Sequence, residues 1–324
     1  MVIKNLDEQD IIQDKKINYL FLSVLNNKLR IKCKILKSDF CLDSFNYFPI
    51  IDNNVSFRDI FQWHNSSPNR YDHFYTESFS NNFFERRKNF KKFSNAVILG
   101  SSPSNDYFRN MMTFLPRIFF ISDKEINLVI HRNTSNKFRV FIKEILTQKK
   151  IKVKKFIYLD DDFYKFNNSK IPQFFTMAAS AIILNKSLSY IKRDSGLKIY
   201  LSRHNSDCRN LINEGDLKDT LKKKNFMIVD TNNMSVFEQI KIFSRADAII
   251  GPTSSALTNL VFSKKGTRVI EIIPKYKHDY EKTFKIRYSK ICKYRGLNYM
   301  SFEADPVNNV KLNPETKKFI SKKV

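Results

Sequence analysis

Short apolar runs alternate with amphipathic stretches of about ten residues along the C-terminal half of the chain. The pattern predicts strands over Lys198–Ser202, Phe226–Asp230, Ala248–Gly251 and Arg268–Ile273, with helices over Asn213–Lys223, Ser235–Arg245 and Ser255–Ser263 between them. Ser235 and Glu238 have the S-x-x-E spacing of a capping box, which fixes one helix start. Strands and helices that alternate through short loops imply a parallel sheet with right-handed crossovers, a Rossmann-like domain. A fainter alternation lies upstream. Strands are expected at Ala96–Leu99, Asn127–His131 and Lys155–Leu159, and helices at Tyr107–Phe114, stopping before Pro116, and Phe138–Gln148. About 90 residues of mixed, β-containing structure precede this second α/β domain. The polar stretch Phe163–Pro172 reads as a linker and Phe174–Ser189 as a helix leading into the later domain. The expected boundaries are therefore 1–172, 173–302 and a Lys-rich helix or tail, 303–324, folding back on the N-terminal domain.

Open parallel sheets bind ligands at the carboxyl ends of their strands. In the later domain those ends carry Arg203 and, in the next loop, Arg209; then Asp230; then the run from Gly251 through Thr253, Ser254 and Ser255 to Asn259; and finally Glu271. Glycine is scarce, six residues in 324, so Gly251 directly after an apolar run marks a sharp turn or a close approach. Small, hydroxylated residues at a helix start leave backbone N–H groups free to meet an anion. Two arginines nearby could neutralise a diphosphate with bidentate bonds, and Glu271 could accept ribose hydroxyls. Singly, each arginine reads as a surface residue and each serine as an N-cap. Glu271 is harder to set aside, because a carboxylate within an apolar strand requires a partner.

Lys and Arg number 57 against 32 acids, a net charge of +25. Such a surface tolerates anionic partners, yet the lysines travel with many Asn, Ile and Phe residues, and no Lys/Arg block interleaved with aromatics suggests a nucleic-acid groove. No apolar run nears the ~20 residues that cross a bilayer, and the first eight residues carry Asp7 and Glu8 where a signal peptide would be apolar. A cytoplasmic protein, peripheral at most to the inner membrane face, is expected. Cys33, Cys41, Cys208 and Cys292 form no CxxC or zinc-ligand spacing, so neither a disulfide framework nor structural zinc is expected.

The runs Ile199–Arg203, Arg209–Glu214, Ser235–Gln239, Ala246–Gly251, Leu257–Asn259, Phe262 and Val269–Glu271, in this order and spacing, resemble glycosyltransferase family 61. The resemblance covers about residues 95–275 and is strongest after Lys198. It implies an α/β, GT-B-like fold with two Rossmann-like lobes facing a central cleft, and inverting sugar transfer without an essential metal. The implied donor is a nucleotide sugar, a UDP-sugar foremost, held by the C-terminal lobe. An anionic or lipid-linked glycan acceptor of capsular or surface type would meet the N-terminal one. Where relatives carry Asn-Tyr-Tyr-His before Leu-Pro-Arg, this chain has Asp106-Tyr107-Phe108-Arg109 before Leu115-Pro116-Arg117. Where they carry His-Gly after Gly-Pro, it has Thr253-Ser254. Asp106 is then the surviving base and Arg109 a phosphate contact, since a guanidinium is too basic to take a proton. Loss of both histidines also fits a catalytically inactive relative that binds nucleotide sugar or glycan. A rival motif, Asp160-Asp161-Asp162 after a strand, would suit a metal-dependent GT-A transferase using Asp160 and Asp162. None of the five histidines lies in an H-x-x-H or triad-like context.

Overall fold

The computed structural model describes residues 17–24, 29–44, 48–51, 54–55, 89–100, 106–190, 196–203, 210–211, 213–274, 286–304 and 309–310. They fall into two compact units, 1–183 and 184–324. No helix among the described residues is long and apolar enough to cross a membrane.

Unit 1 is built on a nine-stranded mixed sheet. Its strands are β1 (Ile17–Val24), β2 (Leu29–Asp43), β3 (Phe48–Ile51), β4 (Asn54–Val55), β5 (Lys91–Ser94), β6 (Ala96–Ile98), β7 (Glu125–His131), β8 (Lys152–Leu159) and β9 (Phe163–Pro172). The main path runs β4-β3-β2-β9-β6-β7-β8, with β1 on β2 and β5 on β9. β5 to β9 are mutually parallel where they pair, and β2 joins β9 antiparallel. The expected α/β alternation is present, but the upstream β structure belongs to the same sheet, so the unit is a mixed α/β layer and not a purely parallel one.

Two readings of local polarity are corrected here. Phe163–Pro172 is not a linker but an inner strand. Phe163, Tyr164, Phe166 and Ile171 are buried while Lys165 and Asn167 are only half-buried, and Asn168 is exposed in a left-handed conformation (φ 44°). Its Nδ2 donates to Oδ1 of Asn95, also left-handed (φ 53°). Pro116 does not end the helical run either. α1 (Tyr107–Arg109) passes into a π turn, Asn110–Phe114, and then a 3-10 turn, Leu115–Phe120. Proline fits there because the first helical positions need no N–H donor.

The residue after that proline anchors the unit. Arg117 is fully buried, and its Nε, Nη1 and Nη2 donate to the carbonyls of Pro172, Leu99 and Ile98 at 2.9, 2.5 and 3.0 Å. The guanidinium also lies 4.3 Å from the Phe174 ring centre. One planar fork thus ties the ends of β6 and β9 together. Around it Leu36, Phe40, Phe114, Val129, Leu159 and Phe166 form a continuous core. α2 (Asn136–Gln148), capped by the Ser135 hydroxyl, covers the sheet with Phe138, Phe141, Ile142 and Ile145. α3 (Met177–Ser187) spans the change from unit 1 to unit 2.

Unit 2 carries a five-stranded, wholly parallel sheet. Its strands are β10 (Leu197–Leu201), β12 (Met227–Val229), β13 (Ala246–Pro252), β14 (Arg268–Pro274) and β15 (Asn298–Ala304), in the order β12-β10-β13-β14-β15. β11 (Asn210–Leu211) pairs separately with β16 (Asn309–Val310), so the chain after β15 returns to unit 2 itself; the remainder of 303–324 beyond Ala304 lies outside the described residues. The helices are α4 (Glu214–Lys222), α5 (Val236–Arg245), a 3-10 helix at Ser255–Phe262 and α6 (Arg287–Arg295). The Ser235–Glu238 capping box is formed in full.

Arg117→Lys replaces a three-pronged planar donor by one ammonium and strands buried carbonyls. Urea unfolding is expected to show a loss of about 3 kcal/mol with an unchanged m-value.

Candidate functional site

Strand order makes the site. Counted along the five-stranded sheet, the chain runs second, first, third, fourth, fifth, and the reversal falls between β10 and β13. A crevice opens at such a switch point, outside the carboxyl ends of the two strands. β10 ends at Leu201, so Arg203 follows on one side of it; β13 ends at Pro252, so Thr253, Ser254 and Ser255 follow on the other.

Arg203 is half-buried, and its backbone N–H donates to Oε1 of Glu214 at 3.1 Å. Glu214 opens α4 and is 4% exposed; it also accepts the Tyr200 hydroxyl at 3.0 Å and meets Lys218 Nζ at 2.8 Å. Burial opposes the charge on Glu214, but these donors outweigh it and hold the carboxyl below its usual range. Sequence reading placed Glu214 in a motif without a role. An acid in the first turn of a helix that follows the arginine loop was the available signal. Arg209 lies outside the described residues.

On the other side, Thr253 is held twice, with its N–H on the Ile272 carbonyl (2.9 Å) and its hydroxyl on Glu271 Oε1 (2.7 Å). Ser254 is the N-cap of the 3-10 helix but makes no capping bond, and its Oγ, in a residue 4% exposed, has no hydrogen-bond partner. Buried hydroxyls are normally satisfied. Ser255 starts the helix and is half-buried.

Glu271 pairs in register with Gly251 and is fully buried. Its second oxygen accepts the Tyr299 hydroxyl at 2.8 Å, and burial together with this carboxylate pushes the Tyr299 pKa up strongly. The thiol of Cys292 is pushed up to about 12 by its burial, with the Glu271 charge adding to the effect. A ribose could reach Glu271 only by exchanging one of these bonds. Gly251 is explained by packing, since a Cβ there would sit 2.7 Å from Leu201 Cβ on the neighbouring strand. Asn259 is turned into the interior, where Nδ2 donates to Gln239 Oε1 (3.1 Å) and the Ala256 carbonyl (3.0 Å). Arg203, Thr253, Ser254, Ser255 and Glu271 thus gather at one sheet edge, with Gly251 and Asn259 supporting them from behind. A cavity of about 560 Å³ opens elsewhere, along the bodies of β13, β14 and β15 beside Ala248, Ile250, Arg268, Ile270 and Met300, and includes none of these residues.

In unit 1, Asp106 caps the short α1, accepting the Arg109 N–H at 3.1 Å. The acidic turn after β8 has its side chains engaged. Asp160 meets Arg132 Nε at 2.9 Å, Asp161 meets His131 Nε2 at 2.9 Å, and Asp162 accepts the Phe163 N–H at 2.8 Å. Among the described residues no group of three or more His, Cys, Asp or Glu side chains could hold a metal ion. His131 is the one described histidine, and the partner it finds, Asp161, is invisible to a search of local spacing.

Tyr299→Phe removes a donor from a fully buried carboxylate. We expect a loss of about 1–3 kcal/mol in chemical denaturation, with the sheet intact by circular dichroism.

Comparison with curated proteins gives no match. The family model described as Glycosyltransferase 61 matches residues 71–270. That span takes in the switch point between β10 and β13, the turns that follow both strands and the Leu115-Pro116-Arg117 fork, and the chain belongs to glycosyltransferase family 61.

Proposed function

We propose that the chain is an inverting transferase that takes a sugar from a nucleotide donor, a UDP-sugar foremost, and passes it to a surface polysaccharide or glycolipid. The pyrophosphate occupies the switch-point crevice of unit 2. One observation carries this reading: the buried, unpartnered Ser254 hydroxyl stands at a helix start, one strand away from Arg203. Helix N–H groups and a hydroxyl on one side, with a guanidinium on the other, suit a diphosphate whose charge grows as it leaves. Family membership makes sugar transfer the chemistry to which that charge belongs.

The remaining roles follow from it. Arg209 adds a second cation, and Glu271, beneath Thr253, takes a ribose hydroxyl only in exchange for the Thr253 or Tyr299 hydroxyl it now accepts. No metal is required where arginine and amides neutralise the leaving group. Acceptor binding falls to unit 1, where Asp106 and Arg109 follow β6. The net charge of +25 suits an acceptor bearing phosphate or acidic sugars, or one anchored at the inner membrane surface. The second reading, a binding protein without turnover, is favoured by Thr253-Ser254 and Arg109 standing where relatives carry histidine.

Thermal unfolding with UDP, GDP and CDP tests the pocket. A diphosphate present at 100 times its Kd is expected to stabilise the protein by about 2.7 kcal/mol. Arg203→Ala should weaken that binding about 10- to 100-fold by titration calorimetry. Equal affinities in the two proteins would remove Arg203 from the site, and release of UDP from a UDP-sugar separates transferase from binding protein.

A further inference from the structure

The cavity on the sheet of unit 2 has no part in the donor site, and strand register shows how it is built. Ala248, Arg268 and Asn298 pair across β13, β14 and β15, and two residues further on Ile250, Ile270 and Met300 pair in the same way. Strand alternation puts these six on one face, and all six line the cavity. Its floor is apolar and buried, with Ala248, Ile250 and Ile270 only 3, 1 and 6% exposed. Its rim is open. Met300 is 40% exposed, and Arg268 and Asn298, which begin β14 and β15, are exposed as well. The volume of about 560 Å³ falls within the roughly 300–1,000 Å³ of small-molecule sites. Arg268 and Asn298 stand at the amino ends of their strands, whereas Arg203 and Ser254 follow carboxyl ends, so the cavity mouth and the donor site lie at opposite edges of the sheet.

The rim is also cationic. Gly296 follows α6 in a left-handed conformation (φ 65°), and its carbonyl accepts the Gly266 N–H at 2.8 Å. Asn298 donates its N–H to the Thr267 carbonyl at 2.9 Å and its Nδ2 to the Gly266 carbonyl at 3.2 Å. These bonds join the end of α6 to the turn that enters β14. Residues 264–268 and 287–298 hold seven lysines and arginines and no acid. Lys264 meets Asp247 at 3.3 Å, while Lys265, Lys290 and Lys293 are exposed, and Tyr294, next in the chain, is 42% exposed. Lysines near an edge strand are ordinary protection against pairing with another sheet. Arg268 is not explained in that way. Its guanidinium has no hydrogen-bond or ion-pair partner among the described residues, and it stands at the mouth of an apolar cavity. A bare anion would leave the floor of that cavity unused, and a hydrocarbon would leave the arginine unused. The two together select a molecule with an anionic head and an apolar chain.

We infer that the cavity is a phospholipid site by which unit 2 docks on an anionic membrane surface. One apolar chain of the lipid enters over Ile250 and Ile270 beside Met300, and its phosphate rests on Arg268. The lysines of the rim face the neighbouring headgroups. Affinity for such a surface grows with the apolar area buried and with the number of cations held near it. The cavity supplies the first and the rim the second. No residue of the donor site takes part, so the inference stands or falls independently of the transferase reading.

The test is co-sedimentation of the full chain with vesicles of phosphatidylcholine, with and without phosphatidylglycerol. Binding is expected only where phosphatidylglycerol is present. Arg268→Glu and Met300→Glu should each weaken it about 10-fold or more. Both side chains are exposed, so Tm and UDP affinity should not change in either variant. Lys223→Glu, at the exposed end of α4 in the same unit, makes the same charge change as Arg268→Glu and should weaken binding less than about 3-fold. Calorimetric titration with dihexanoyl phosphatidylglycerol as a soluble probe should give one site per chain, with glycerol 3-phosphate at least about 10-fold weaker. Equal binding of glycerol 3-phosphate would show a phosphate site without a chain and overturn the inference. So would equal binding to vesicles without phosphatidylglycerol, vesicle binding that Arg268→Glu and Met300→Glu leave intact, or a loss in Lys223→Glu as large as that in Arg268→Glu, which would mean diffuse charge alone. Each of these results leaves the donor site standing, because UDP binding is measured separately on the same proteins.

Discussion

A charge placed inside a sheet must find its hydrogen bonds within the protein, and the chain around it has to be shaped to supply them. Each unit is organised by one such group. In unit 1 it is the Arg117 guanidinium, which gathers three carbonyls from two strand ends. In unit 2 it is the Glu271 carboxylate, which takes a hydroxyl from the turn after β13 and another from β15. The two cases differ in what they hold still. Arg117 fixes where β6 stops. Glu271 fixes Thr253, and with it the direction in which Ser254 and the 3-10 helix present their polar groups.

The functional edges follow from strand direction. Parallel strands send all their outgoing loops to one side, so residues far apart in sequence meet without any local motif announcing them. His131 and Asp161 meet this way across β7 and β8, and Arg203 and Ser254 follow the neighbouring strands β10 and β13. In both places a half-exposed group is braced from behind by a buried one, Arg203 by Glu214 and Asp161 by His131.

Much of unit 2 was legible in the chain because its physics is local. The apolar runs gave four of its five sheet strands to within a residue or two, missing β15, and the capping box marked the start of α5. Parallel strands buried on both faces leave an unbroken apolar signature, and helices of ten residues fill the intervals. Unit 1 was harder for a definite reason. Phe163–Pro172 carries Asn167, Asn168, Ser169 and Lys170 in succession, which reads as a loop. It is a strand because β2, about 130 residues earlier, supplies an antiparallel partner, with Ser38 opposite Ser169 and Phe40 opposite Phe166. Pairing over that separation has no trace in either segment alone. Interior packing at Gly251, small beside Leu201, and at Asn259, bonded to Gln239, likewise has no trace in local spacing.

The left-handed positions add a different kind of information. Asn95, Lys150, Asn168 and Asn225 adopt a backbone conformation that glycine enters without strain, and Asn95 and Asn168 lean on each other's amides. In a sequence with six glycines, three asparagines and one lysine hold left-handed bends among the described residues. Glycine at one of these bends would remove the steric cost of the left-handed backbone but widen the freedom of the unfolded chain, so the two effects on stability oppose each other.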